Sequence, residues 1–170
     1  VAFFLLWFDR LSYIYRGNVS AKGYIMVRVG NFLVFFLTLA IVFGFNLYLS
    51  DWFLKEGKMS SVPKRLILVQ SILGMLFVAI SAFTGLYYYF DETNTYHRGT
   101  GFLFAYIIPI ICPIIQYTVI HQYKRLFRRL IYTSMILYIY LPIACAILQF
   151  FIYGLSIVNM SLAAVSLTLY

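Results

Sequence analysis

The stretch "YIMVRVGNFLVFFLTLAIVFGFNLYL", Tyr24 to Leu49, holds 26 residues and a single charged side chain, Arg28. As an α-helix it would be about 39 Å long, which exceeds the ~30 Å hydrocarbon core of a bilayer. Backbone groups in lipid must hydrogen-bond internally, so a spanning segment is either a helix or part of a closed barrel. The apolar residues do not alternate with polar ones, and the stretch therefore predicts a transmembrane helix.

The rest of the chain has the same character. Of its 170 residues, 64% are hydrophobic and 11% are charged, whereas soluble domains are about 45–50% apolar and about 25% charged. We predict an all-α fold, a polytopic transmembrane helical bundle in contact with the lipid bilayer, and no internal repeat. Six spans are predicted, at 1–15, 24–49, 66–89, 100–123, 130–153 and 155–170.

Basic residues orient the predicted bundle. Eight Lys and Arg side chains fall between the second and third spans or between the fourth and fifth, and three fall in the other connections. Cytoplasmic loops are enriched in Lys and Arg, so we expect these two loops and the C-terminus in the cytoplasm of a multi-pass plasma-membrane protein. The net charge of +8 is explained by these loops, and nucleic acid is not an expected partner.

Two charges fall inside predicted spans. Asp9 lies about 9 Å and Arg28 about 6 Å below the outer boundary of two consecutive helices, and buried charges in membranes are usually paired or functional. We predict an Asp9–Arg28 ion pair. It either pins the two helices together or lines a pocket that opens outward, and Arg28 extending to the interface is the alternative.

Further polar residues lie at the same depth, as expected for a small-molecule site in a bundle core. The sequence Asp91–Asn94, in the outer connection between the third and fourth spans, predicts a turn. Aromatic residues flank this turn, and the connection is a candidate lid over the outward pocket. The candidate ligand-binding residues are Asp9, Arg28, Asn31, His97, Arg98, Gln149, Tyr153 and Asn159.

Catalytic and metal-binding patterns are missing from the sequence. Ser, His and Asp are not grouped, His97 and His121 fall on opposite sides of the predicted membrane, and Cys112 and Cys145 lie in apolar runs. No cofactor and no metal site are expected. A sensor or anchor is the interpretation by elimination, with a small transporter or channel using Asp9 and Arg28 as a relay as the alternative.

Four stretches carry a resemblance to a known family. They are "FDRLSYIYRGN" (8–18), "GNFLVFFLTLAIVFGFNLYLSDW" (30–52), "YYFDETNTYHRGTGF" (88–102) and "LQFFIYGLSIVNMSLAAVSLTLY" (148–170). The chain resembles the N-terminal seven-helix membrane region of clostridial sensor proteins that end in a cytoplasmic GGDEF (diguanylate cyclase) domain. The resemblance implies a seventh helix before Val1 and an effector domain after Tyr170. No GGDEF motif occurs in these residues, so catalysis would belong to the rest of the intact protein.

The expected function is a membrane sensory input module. It would bind an outward small-molecule or peptide signal and control a diguanylate cyclase, and therefore cyclic di-GMP signalling, with a homodimer implied by the resemblance. A sensor region in front of a histidine kinase or another regulator is an alternative that these residues do not separate from the first.

Overall fold

The computed structural model describes residues 1–55, 61–151 and 156–168. Within these ranges the chain forms six α-helices and a short antiparallel hairpin. The helices are α1 (Ala2–Ile14), α2 (Ala21–Lys55), α3 (Ser61–Thr84), α4 (Phe104–Gln122), α5 (Arg129–Phe151) and α6 (Ile157–Thr168). Strands β1 (Tyr88–Phe90) and β2 (Tyr96–Arg98) lie between α3 and α4, and a 3-10 turn (Lys124–Leu126) follows α4. The predicted all-α class is confirmed.

The six helices form a closed ring in chain order. Each helix packs against the next, α6 packs back against α1, and α2 also contacts α4 across the ring. We call the end that holds the α1–α2 connection and the β-hairpin the hairpin end. The opposite end carries Lys124, Arg125, Arg128 and Arg129, and we call it the basic end.

Four helices are long and apolar enough to cross a membrane, judged by length and composition. These segments are Ala21–Phe53, Arg65–Thr84, Phe104–Gln122 and Arg129–Gln149. The described parts of α1 and α6 are shorter, at 13 and 12 residues. The predicted number of six spans is therefore not established by the helix lengths.

The hairpin corrects one predicted boundary. The third span was predicted to run to residue 89, but α3 ends at Thr84, and Gly85 follows with a φ of +71°. The Tyr87 amide then donates to the Ser81 hydroxyl at 2.8 Å, which turns the chain away from the helix axis. The aromatic run that follows enters β1, in agreement with the preference of Tyr and Phe for strands.

The interior of the basic half is filled by aromatic and aliphatic side chains. Phe45 stacks on Tyr138 with 3.9 Å between ring centroids, and Trp52 stacks on Phe127 at 4.6 Å. Phe53 is fully buried against Tyr123 and Phe127. This packing leaves the open space of the ring on the hairpin-end side.

Candidate ligand-binding site

A cavity of about 220 Å³ lies inside the ring and extends from the hairpin end to the middle of the bundle. All six helices and β2 contribute to its wall. Five of the eight predicted site residues line it, namely Asp9, Asn31, Arg98, Gln149 and Asn159. Tyr153 lies outside the described residues, and Arg28 and His97 do not line the cavity.

One face of α1 supplies a polar stripe to this wall. Asp9, Ser12 and Tyr13 line the cavity, and their spacing of three and four residues places them on one helical face. Arg16, just beyond the end of α1, lines the cavity as well. The Ser12 hydroxyl donates to the Asp9 backbone carbonyl at 2.8 Å. Ser12, Tyr13 and Arg16 were missed as site residues, although the helical spacing of Ser12 and Tyr13 from Asp9 is readable from the sequence.

The Asp9 carboxylate bonds to α6. Its Oδ1 accepts a hydrogen bond from the Ser156 hydroxyl at 2.8 Å and another from the Asn159 amide at 3.0 Å. Both donors are neutral groups on the segment that begins α6. The arrangement links the first and last described helices through a carboxyl group that lines the cavity.

Gln149 positions the start of α6. Its Oε1 accepts a hydrogen bond from the backbone N–H of Val158, in the first turn of that helix, at 3.0 Å. The first amide groups of a helix lack internal partners, so this side chain acts as a cap supplied by α5. Asn31 instead makes a local bond, donating to the Val27 carbonyl at 2.8 Å.

The predicted Asp9–Arg28 ion pair is wrong. The Arg28 guanidinium donates to the Asn94 side-chain oxygen at 2.7 Å and lies over the rings of Tyr24 and Phe90, at 3.3 and 4.7 Å from their centroids. Asp9 bonds to α6, as described above. The two groups were predicted at similar depths, but their side chains bond to different neighbours.

Asn94 fastens the hairpin to the α1–α2 connection, a role that the sequence did not reveal. It is 2% exposed and has a φ of 58°. Besides accepting from Arg28, its amide donates to the Asn18 carbonyl at 2.8 Å, and its own carbonyl accepts from the Gly17 amide at 3.1 Å. We call Arg28, Asn94, Asn18 and Gly17 the hairpin latch.

The alternation of side chains along β2 explains why His97 is outside the cavity. Tyr96 and Arg98 line it, so His97 between them points to the other side of the strand. There His97 contacts the Asp91 carboxylate at 2.7 Å and stacks on Tyr89. A hydrogen bond from Thr93, followed by His97 and the Thr95 amide, holds the pKa of Asp91 well below its usual range.

The far end of the cavity is mostly apolar and contains three prolines. Pro109, Pro113 and Pro142 line it from within α4 and α5. A proline has no N–H, so each one deprives the carbonyl four residues earlier of its helical donor. Those carbonyls belong to Ala105, Pro109 and Tyr138, which also line the cavity. An apolar surface with a few backbone acceptors results.

Comparisons with protein-family models, with curated proteins and with solved structures gave no match to this chain. The resemblance to clostridial sensor regions therefore stays a prediction, based on the sequence stretches quoted above.

Proposed function

We propose that this chain is the membrane-embedded input module of a sensor, and that its cavity holds the signal molecule. The membrane part of this proposal is supported by the four long apolar helices. It is also supported by large apolar side chains left exposed along one face of α3, at Leu73, Leu76, Ile80 and Phe83. Contiguous apolar surface of this kind needs a nonaqueous neighbour.

The basic end is proposed to face the cytoplasm in the plasma membrane, because Lys and Arg concentrate there. Glu92→Cys in the hairpin and Lys124→Cys at the basic end test this orientation, since both native residues are exposed. A membrane-impermeant maleimide should label the first variant in intact cells and the second only after lysis. The opposite pattern would reverse the proposed topology.

The observation that carries the sensor proposal is the bonding of Asp9 to Ser156 and Asn159 in the cavity wall. A molecule that bonds to this carboxylate competes directly with the contact between α1 and α6. It would therefore favour one packing of α6 over another through its differential affinity, as a ligand-driven population shift requires. Helix α6 runs from this contact toward the basic end and the residues that follow.

The cavity favours a small amphipathic molecule over a peptide as the signal. Its volume of about 220 Å³ is below the usual range of ~300–1,000 Å³ for ligand pockets. Polar groups gather on α1 near the hairpin end, and the proline-containing wall lies deeper in the bundle. A ligand with one polar group and an apolar body would match the polar end of the cavity and its deeper apolar wall.

The output is proposed to be a cytoplasmic effector after Tyr170. The resemblance points to a diguanylate cyclase that works as a dimer, so these residues would regulate cyclic di-GMP synthesis without catalysing it. A histidine kinase remains the alternative, and the reading frame beyond Tyr170 separates the two.

Filling the cavity tests the binding proposal. Ala146 lines the cavity, whereas Ala164 is exposed on α6, so Ala146→Phe and Ala164→Phe form a matched pair. We expect native mass spectrometry of the protein purified in nanodiscs to show a bound small molecule. It should remain in Ala164→Phe and be lost in Ala146→Phe. Equal occupancy in the two variants, or none in the wild type, would contradict the proposal.

Transport is the second candidate function. It is favoured by buried polar side chains between the cavity and the basic end, including Asn46 and Gln116. Flux measured in liposomes, with Asp9→Asn as the variant, decides between the candidates. Substrate flux that Asp9→Asn abolishes would favour a transporter over a sensor.

A further inference from the structure

Beneath the cavity, toward the basic end, lies a second group of polar side chains between α2, α3 and α4. It consists of Asn46 and Ser50 on α2, Ser71 on α3 and Gln116 on α4, each 2% exposed or less. We call these four residues the buried polar cluster. Within the part of the chain that the structure describes, four of their atoms have no hydrogen-bond partner: Asn46 Nδ2, Ser50 Oγ, Ser71 Oγ and Gln116 Oε1.

Helical register and one interhelical bond place these side chains at successive levels between the three helices. Gln116 Nε2 donates to the carbonyl of Val42 at 3.3 Å, and Asn46 follows Val42 by one turn on the same face of α2. Ser50 lies one turn further along that face. Cys112 precedes Gln116 by one turn on α4 and packs with Ile67 of α3, which lies one turn from Ser71.

A buried polar atom without a partner is costly, and such atoms in native proteins are usually satisfied by ordered water or an ion. The chemistry of this set selects between those two partners. Asn46 presents an N–H donor, Gln116 presents a carbonyl acceptor, and each serine hydroxyl can donate or accept. A cation would satisfy the oxygens and oppose the amide hydrogens, whereas water both donates and accepts.

We propose that the buried polar cluster is a binding site for internal water, and that this water extends the cavity toward the basic end. Val42 lines the cavity and also accepts the bond from Gln116, so the two spaces meet at this residue. Below the cluster, Trp52 and Phe53 pack on Phe127 with centroid distances of 4.6 and 5.5 Å. The hydrated column therefore ends at an aromatic seal near the basic end.

Two conservative substitutions test this site, because a hydrated site and a dry site predict opposite shifts of the thermal unfolding midpoint. In a hydrated site, Ser50→Ala and Ser71→Ala each remove a bond to bound water, and we expect both to lower the thermal unfolding midpoint. In a dry site the same changes remove an unsatisfied hydroxyl and raise it. Ser161→Ala is the matched control, because Ser161 is buried in α6 and bonds within its own helix to the Val158 carbonyl at 2.7 Å. Its midpoint should change little.

Radiolytic hydroxyl-radical footprinting supplies an independent measurement, since radicals formed from bound water oxidise adjacent side chains. Cys112 is 1% exposed, so its oxidation in the wild-type protein would report internal water. We expect Cys112 to be oxidised in the wild type and protected in Gln116→Leu, with Cys145 outside the cluster as the reference. A rise in midpoint for both serine variants, or protection of Cys112 in the wild type, would overturn the proposal.

Discussion

The hairpin half and the basic half of the ring use polar residues in opposite ways. In the hairpin half, polar side chains surround an open cavity, and Asp9, Asn94 and Gln149 have bonding partners on other elements. In the basic half, aromatic packing fills the ring, yet four buried polar atoms have no partner among the described residues. The hairpin half is thus organised around a cavity, and the basic half is organised around a packed core.

This difference predicts where the bundle's stability lies. Phe53 is fully buried among aromatic rings, so Phe53→Ala should leave a cavity and cost about 3–5 kcal/mol. Phe102 is also buried but lines the existing cavity, and Phe102→Ala is the matched control with a smaller expected loss. Chemical unfolding in detergent measures both. Equal losses would remove the distinction between a packed half and an open half.

The hairpin latch should contribute the next largest effect. Asn94→Ala leaves the Arg28 guanidinium and the Asn18 carbonyl without this partner, at a cost of about 1–3 kcal/mol. The positive φ of Asn94 adds strain in that variant.

Asn94→Gly is the control for that strain, since it loses the same side-chain bonds but accommodates a positive φ. We expect hydrogen exchange of the Gly17 amide, which donates to the Asn94 carbonyl, to accelerate in both variants, and more in Asn94→Ala. Protection equal to that of the wild type would show that the hairpin is held by its aromatic packing instead.

The hydrogen bond between α1 and α6 should contribute less to the free energy of unfolding than the hairpin latch does. A double-mutant cycle with Asp9→Ala and Asn159→Ala measures the 3.0 Å bond between them. Interhelical hydrogen bonds in membrane proteins average about 0.6 kcal/mol, and we expect a coupling of about that size here. Asp9→Ala with Arg28→Ala serves as the control pair and should be additive. Coupling in the control pair would contradict the observed partners.

These partners show what the sequence predicts and where it stops. Hydrophobic runs located the helices, and three of the polar residues predicted to share a depth, Asp9, Gln149 and Asn159, line one cavity. Depth gives the height of a residue in a bundle but not the direction of its side chain around the helix axis. Because α1 packs on both α2 and α6, Asp9 had two neighbouring helices to bond with, and the sequence did not distinguish them.

The hairpin illustrates a second reason why the sequence did not predict the whole structure. Tyr87, Tyr88 and Tyr89 are equally acceptable at the end of an apolar helix and in a strand, so composition did not determine their structure. The deciding contacts are the Ser81 hydroxyl on the Tyr87 amide and the stacking of Tyr88 on Phe35, with 5.2 Å between centroids. The first is a local contact across six residues, and the second joins the hairpin to α2. Burial in this packing also raises the pKa of Tyr88 to about 12.

The smallest predicted effect concerns Asp91, at the exposed end of the hairpin. The pKa of its carboxyl is lowered in the folded hairpin, so its ionised form stabilises the hairpin above the unfolded pKa of about 3.9. That contribution is lost as the pH falls below about 3.9 and through the lower folded pKa.

Asp91→Asn should therefore reduce protection of the Thr95 amide, which donates to Asp91 at 2.9 Å, already at neutral pH. In the variant, protection of the Thr95 amide should also no longer decrease as the pH falls. Hydrogen exchange across this pH range measures both, with Glu92→Gln as the control in the same turn and no expected change. Since the hairpin is also held by the latch at Asn94, the wild type should lose local protection at Thr95 before the Gly17 amide opens. Simultaneous loss at Thr95 and Gly17 would mean that the Asp91 turn and the latch open as one unit.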